Sequence, residues 1–283
     1  INDRMTKLIS RQQHYYSGAV QVHTDACGGE SFTSIINAAR ATDTDFVIIT
    51  NRCGTAELRA KQGWHNKVLM IVDEEVIFSD GEFLAFGCER DIQGRDSIEQ
   101  SIAQVQLGEG RICGLSHSPD LSETAESPSP HIPMEWIDCF CVWSFLDEFT
   151  HRVSGDQALL FQTKPERIVR SPARPVLNLW DQQNIDGKLP ALGCINAFHR
   201  KDPLLDWKGF FPFDSTFRTV KTMAVLDEEI DEDDVIAISQ IHYALTSGRS
   251  FIYNQSIGSV EDFHFFIWHP SLRELAIGEQ APL

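Results

Sequence analysis

The stretch "GAVQVHTDACGGESFTSIINAARATDTDFVIIT", residues 18–50, decides the fold class. GAVQVH alternates as a strand does and runs into a glycine-rich turn. Phe32, Ile35, Ile36 and Ala39 then recur at helical spacing, and DFVIIT is a second strand. Strand, helix and strand joined by short links make a βαβ unit, which imposes parallel strands. Gln21 and His23 lie two apart on the first strand and so share a face, and Asp25 follows in the turn.

Working outward, KVLMIVDEEVIF, EFLAFGC, RICGLSH, WIDCFCVW, PALGCIN and FRTVKTMAVL read as further strands. Helices are expected over residues 97–107, 175–183 and 233–247; Pro175 suits the first turn of the second, where a missing N–H costs nothing. SPDLSETAESPSPHIP is a Ser/Pro-rich surface loop, and the acidic run LDEEIDEDD is a solvated turn leading into a helix N-terminus, where carboxylates suit the dipole. About seven strands with intervening helices suggest a (β/α) barrel, whose chemistry sits at the C-terminal ends of its strands. Polar residues gather at those ends: His23 and Asp25; Asn51 and Arg52; Asp73, Glu74 and Glu75; His117; Asn196 and His199. Such groups are costly to bury without partners, so their convergence marks a shared pocket.

Composition narrows the function. The chain has 283 residues, enough for one large α/β domain or two ordinary ones, and 42% hydrophobic residues, enough for a real core. With 24 Lys and Arg against 41 Asp and Glu, its net charge of −17 repels phosphate backbones, so nucleic acid is not an expected partner. No apolar run reaches the ~20 residues of a membrane helix, and no signal-peptide pattern opens the chain. The seven cysteines, Cys27, Cys53, Cys88, Cys113, Cys139, Cys141 and Cys194, include no CxxC pair, and several lie in apolar strands. They imply core packing and a reducing, cytoplasmic setting rather than a disulfide framework.

In order and spacing these segments resemble the PHP (polymerase and histidinol phosphatase) family, within it the carbaryl-hydrolase-like metallohydrolases. GAVQVHTDACGG stands in register with the family's opening His-x-His strand and Ser-Asp-Gly turn, and ITNR with its Thr-Asp-His. DEEVIF, GEFLAFG, GLSHSP, DCFCVWS, the run LNLWDQQNIDGKLPALGCINAFH and AISQIHYALTSGRSFIY match later motifs. The resemblance implies a distorted (β/α)7 PHP-type barrel over residues 1–250, with its active face at the strand C-termini. A short β-rich C-terminal extension over residues 251–283 would follow, resembling the start of a small sandwich. It also implies up to three metal ions that activate a hydroxide for phosphoester hydrolysis.

Position by position, that metal site is depleted. His23, the bridging Glu75 and His117 keep family ligand types, Glu82 replaces a histidine with an oxygen ligand, and Asp25 is at best a substitute for the acid lost at Gly28. Gln21, Asn51, Arg52 and Asn196 stand where ligands are expected, Phe198 replaces an imidazole, and His199 is displaced by one residue. A guanidinium ~4 Å from a divalent ion costs about 8 kcal/mol at an effective dielectric of 20. Two functions follow. One is a pseudoenzyme whose pocket, lined by Gln21, Asn51, Asn196 and His199, takes a small anion or a protein partner. The other is a hydrolase on one or two Zn, Mn or Fe ions held by His23, Glu75, His117, Glu82 and Asp25, with Arg52, Glu75 and His117 as its catalytic groups. His242 and His264 have no acidic or histidine-rich context in the sequence and read as incidental.

Overall fold

The computed structural model describes residues 13–52, 54–78, 81–92, 97–115, 132–152, 170–185, 187–197, 212–261, 263–269 and 273–279. His117, Phe198 and His199 lie outside the described residues. The elements in chain order are β1 (His14–Val22), α1 (Phe32–Ala41), β2 (Phe46–Asn51), α2 (Thr55–Arg59), β3 (Gly63–His65), β4 (Val68–Phe78), β5 (Gly81–Phe86), α3 (Ile98–Leu107) and β6 (Arg111–Leu115). They continue with β7 (Cys139–Ser144), α4 (Phe145–Arg152), α5 (Arg174–Gln183), β8 (Ala191–Cys194), α6 (Phe213–Thr216), β9 (Val220–Leu226), α7 (Asp234–Thr246), β10 (Ser250–Asn254), β11 (Phe266–His269) and β12 (Arg273–Ala276).

The large sheet has the order β10-β9-β1-β2-β4-β5-β6-β7-β8, with β3 paired to β4. β1, β2 and β4 run parallel, as do β6, β7 and β8, and β5 is antiparallel to both its neighbours. Beyond β8 the chain returns to β1: Ile195 N donates to Val20 O at 2.9 Å, Ala197 N to Gln21 O at 2.9 Å, and His23 N to Ala197 O at 3.1 Å. Seven strands, β1, β2, β4, β5, β6, β7 and β8, thus form a nearly closed barrel-like ring. β9 and β10 flank β1 outside it, and β11 with β12 forms a separate two-stranded sheet at the C-terminal end. Among the described residues no helix is long and apolar enough to cross a membrane.

Strands apolar on both faces make two core layers, as parallel strands covered on both sides require. One contains Val20, Phe46, Ile48, Leu69, Ile71 and Leu84 with Ala237, Ile241 and Ala244 of α7. Cys113, Cys139, Cys141 and Cys194 join it as small hydrophobes, their thiols driven towards the neutral form by burial where shifts arise, at Cys113, Cys141 and Cys194. The other layer sets Ala19, Val47, Ile49 and Met70 against Ile35, Ala38 and Ala39 of α1. Helix starts follow their caps: Ser31 Oγ accepts from Ser34 N in α1, and Asp233 Oδ1 accepts from Val235 N and Ile236 N in α7. The acidic run also reaches further than a solvated turn, since Asp234 Oδ1 accepts from Trp64 N at 2.9 Å.

β4 covers nearly all of the expected strand KVLMIVDEEVIF, but one placement within it differs. Asp73, Glu74 and Glu75 do not end β4; the strand continues to Phe78 and hairpins into β5, with Glu75 opposite Leu84. Apolar Val76, Ile77 and Phe78 extend the β pattern, and β5 inserts an antiparallel strand where a (β/α) repeat would have placed a helix.

The packing of β8 against β9 and β10 depends on Gly193. Its N–H donates to Thr222 Oγ1 and its carbonyl accepts from the same hydroxyl, each at 2.8 Å. A Cβ there would lie 2.6 Å from Ile252 Cγ2 and 2.7 Å from Val220 Cγ1. Gly193→Ala should therefore lower the unfolding free energy by about 1–3 kcal/mol through overpacking, read as a reduced urea midpoint at unchanged m-value.

Candidate functional site

The site forms at the C-terminal ends of β1, β2, β8 and the parallel half of β4, around one carboxylate. Glu75 is fully buried. Gln21 Nε2 donates to its Oε1 at 3.0 Å, and Arg52 Nε donates to its Oε2 at 2.5 Å. Arg52 Nη2 lies 3.9 Å from Glu82 Oε2, and His23 Nε2 lies 3.8 Å from Glu75 Oε2.

Local structure explains how Gln21 comes so close. Its φ is +64°, and the β1–β2 register slips between Val20 and Val22, a bulge that turns the side chain towards Glu75. The loop beyond His23 folds tightly on itself: Gly29 N donates to Thr24 O at 2.8 Å, and a Cβ at Gly29 would fall 1.7 Å from His23 O. Asn51 ties this loop to β2, its Oδ1 accepting from Thr24 N at 2.9 Å and its Nδ2 donating to Thr24 Oγ1 at 2.6 Å. Asn51 therefore spends its amide on the scaffold.

Asn196 Nδ2 donates to Asp147 Oδ1 at 3.1 Å and Oδ2 at 3.2 Å, and Ser144 Oγ donates to Asp147 Oδ2 at 2.5 Å. Asp147 is missing from the sequence reading. Nothing in its local context marks it, because its partner Asn196 lies 49 positions on. Asp25 goes the other way. Its side chain is exposed and its Oδ1 accepts from Ala26 N, so it caps its own turn.

His23 is 1% exposed, and burial pushes its imidazole below the ordinary histidine value; Glu75 opposes this, Arg52 adds to it, and Asn196 and Asp147 oppose it. His23 is a neutral ring at pH 7. Gln21 Oε1 is buried and accepts no hydrogen bond among the described residues.

The neighbouring acids are committed elsewhere. Asp73 Oδ1 accepts from Gly87 N at 2.8 Å, and its Oδ2 lies 2.7 Å from His242 Nε2. His242 also stacks on Phe86 at 5.6 Å, so it holds a structural pair with an acid 169 positions earlier, which local context could not reveal. Glu74 Oε2 accepts from Ile92 N at 2.9 Å and lies 3.8 Å from Arg59 Nη2.

These contacts test the metal expectation. Both oxygens of Glu75 accept N–H groups, and one carries a cation where a bridging ion would sit. Among the described residues no three or more His, Cys, Asp or Glu side chains converge as ligands. The arrangement does not fit an ion bound through Glu75.

A solved structure shares this architecture. A two-domain protein from Bacteroides vulgatus containing a predicted PHP-like metal-dependent phosphoesterase aligns with a TM-score of 0.54 at 12% identity, over 85% of this chain and 65% of that one. The fold is PHP-like. This chain thus spans slightly under two thirds of that neighbour's length. The sequence matches no family profile and no curated protein. In a PHP-like frame the ring of strand ends around Glu75 occupies the face expected from the sequence, and it holds an internal ion pair.

Two outcomes follow. Removing Arg52 leaves a buried carboxylate without its cation; a fully enclosed pair would lose ~3–5 kcal/mol, but Arg52 is 43% exposed, so Arg52→Ala should cost about 1–3 kcal/mol in urea unfolding. Glu75→Gln added to it should restore part of that loss. The lowered folded-state value of His23 means that the unfolded chain takes up a proton first. This contribution to stability is present above pH ~6.5 and is lost as pH falls towards the folded value, so the urea midpoint should drop below pH 6.5, less steeply in His23→Gln.

Proposed function

We propose that this chain is a PHP-like protein without phosphoesterase activity, its strand-end pocket serving as a recognition site for a protein partner. One observation carries the reading: Arg52 Nε sits 2.5 Å from Glu75 Oε2, so this carboxylate is already neutralised by a guanidinium of the chain itself. The depleted ligand positions at Gln21, Asn51 and Asn196 support it, since each amide is engaged in a protein hydrogen bond.

Charge selects the occupant. Glu75, Glu82 and Asp147 against Arg52 give a formal −2 among the described groups, with His23 neutral. A phosphate would meet one guanidinium and three carboxylates, whereas a donor such as a partner's amide or ammonium suits the partly exposed Glu82 and Asp147. The small anion expected from the sequence is thus the weaker occupant. The resemblance to the carbaryl-hydrolase-like branch bears on ancestry under this reading, and the one- or two-metal hydrolase requires Arg52 to leave Glu75.

Elemental analysis of protein purified without chelators, with p-nitrophenyl phosphate and an aryl ester assayed after adding Zn, Mn or Fe, tests the proposal. The expected result is metal far below one ion per chain and no turnover above the metal-only blank. Near-stoichiometric metal that is lost in Glu75→Ala, or metal-dependent turnover, overturns it. The triple variant Gln21→His, Arg52→His, Asn196→Asp should gain metal if these positions are assigned correctly.

A further inference from the structure

A cavity of about 640 Å³ lies away from Glu75, outside the ring. Its floor is one face of three adjacent strands, with Tyr15 and Ser17 of β1, Met223 of β9 and Tyr253 of β10. Asp43, from the link between α1 and β2, lines one side. Gln13, ahead of β1, and Gln255, Glu261, Phe263 and His264, after β10, line other sides. The size is in the range of small-molecule sites, roughly 300–1,000 Å³.

The lining discriminates between ligand classes. Among the described lining residues Asp43 and Glu261 are acids and none is Lys or Arg, which disfavours anions. Two amide atoms, Gln13 Nε2 and Gln255 Oε1, are buried and make no hydrogen bond among the described residues. Buried polar atoms are nearly always paired, so a donor and an acceptor left over in one cavity point to a missing partner able to do both. An ammonium group could serve Gln255 Oε1 and the carboxylates but not Gln13 Nε2. A hydroxyl donates and accepts. The aromatic walls add an apolar surface for a ring: Tyr15 meets the His264 ring edge-on at 5.7 Å, and Phe263 lies 5.0 Å from Phe251. Tyr253 is fixed by its hydroxyl, which donates to Ser17 Oγ at 3.2 Å.

We propose that this cavity binds a neutral saccharide. The C–H face of a sugar ring lies against Tyr15, Tyr253 and Phe263, and its hydroxyls bridge Gln13 Nε2, Gln255 Oε1 and the carboxylates of Asp43 and Glu261. The site is independent of the pocket at Glu75 and stands whatever occupies that pocket.

Saturation-transfer NMR on the full chain tests this with cellobiose, maltose and N,N′-diacetylchitobiose as saccharide probes, and adenosine, choline and citrate as competing chemistries. Transfer to the ring C–H protons of at least one saccharide is expected. Its Kd should weaken roughly tenfold in Gln255→Ala, the scale of one lost hydrogen bond, and stay unchanged in Glu75→Gln. Gln255 is a loop side chain, so this variant keeps the test sound even if Tyr253→Ala folds poorly. The proposal is overturned if no saccharide responds, if choline, citrate or adenosine responds in their place, or if Gln255→Ala binds the saccharide as tightly as the parent.

Discussion

A carboxylate with no solvent exposure has to be compensated, and Glu75 organises the strand-end cluster through that need. Desolvating an ion costs several kcal/mol, recovered only by close opposite charge and by hydrogen bonds on both oxygens. Arg52 takes one oxygen and Gln21 the other. The bulge at Gln21 and the position of Arg52 just beyond β2 are the geometric means of delivering those donors. A metal would satisfy the same carboxylate, and the two solutions exclude each other because they occupy the same few ångströms.

The Asp73-Glu74-Glu75 run shows the constraint three times over. Three consecutive acids in a buried strand alternate between faces and meet different partners. Asp73 faces His242 and a backbone amide, Glu74 meets Arg59 and the Ile92 amide, and Glu75 meets Arg52 and Gln21. One acidic triplet thus ties α7, α2 and the strand ends at Arg52 and Gln21 to β4.

Much of this was legible in residue order. The βαβ unit, the three expected helices and most strands have short-range signals: period-2 or period-3.6 hydrophobicity, Ser31 and Asp233 as caps, and Pro175 near a helix start. The gathering of Gln21, His23, Asn51, Arg52, Glu75 and Asn196 was also legible, because barrel strands bring their C-terminal ends together whatever lies between them. Less was visible where residues meet across the fold. Asp147 and His242 look ordinary in sequence, since the partners that give them meaning, Asn196 and Asp73, are 49 and 169 positions away. Asp25 looked like a ligand and turned outward because its own turn offered a backbone N–H first.

By itself the sequence determined the secondary structure, the barrel class and the set of polar residues available at one end, all consequences of periodicity and local chemistry. Only the tertiary structure decided how those residues pair. It placed a guanidinium against Glu75, turned β4 back into an antiparallel hairpin, and closed the ring where Ile195 and Ala197 bond to β1. The reason is physical: pairing energies depend on distances of 3–4 Å between groups far apart in the chain, and no local pattern encodes those distances.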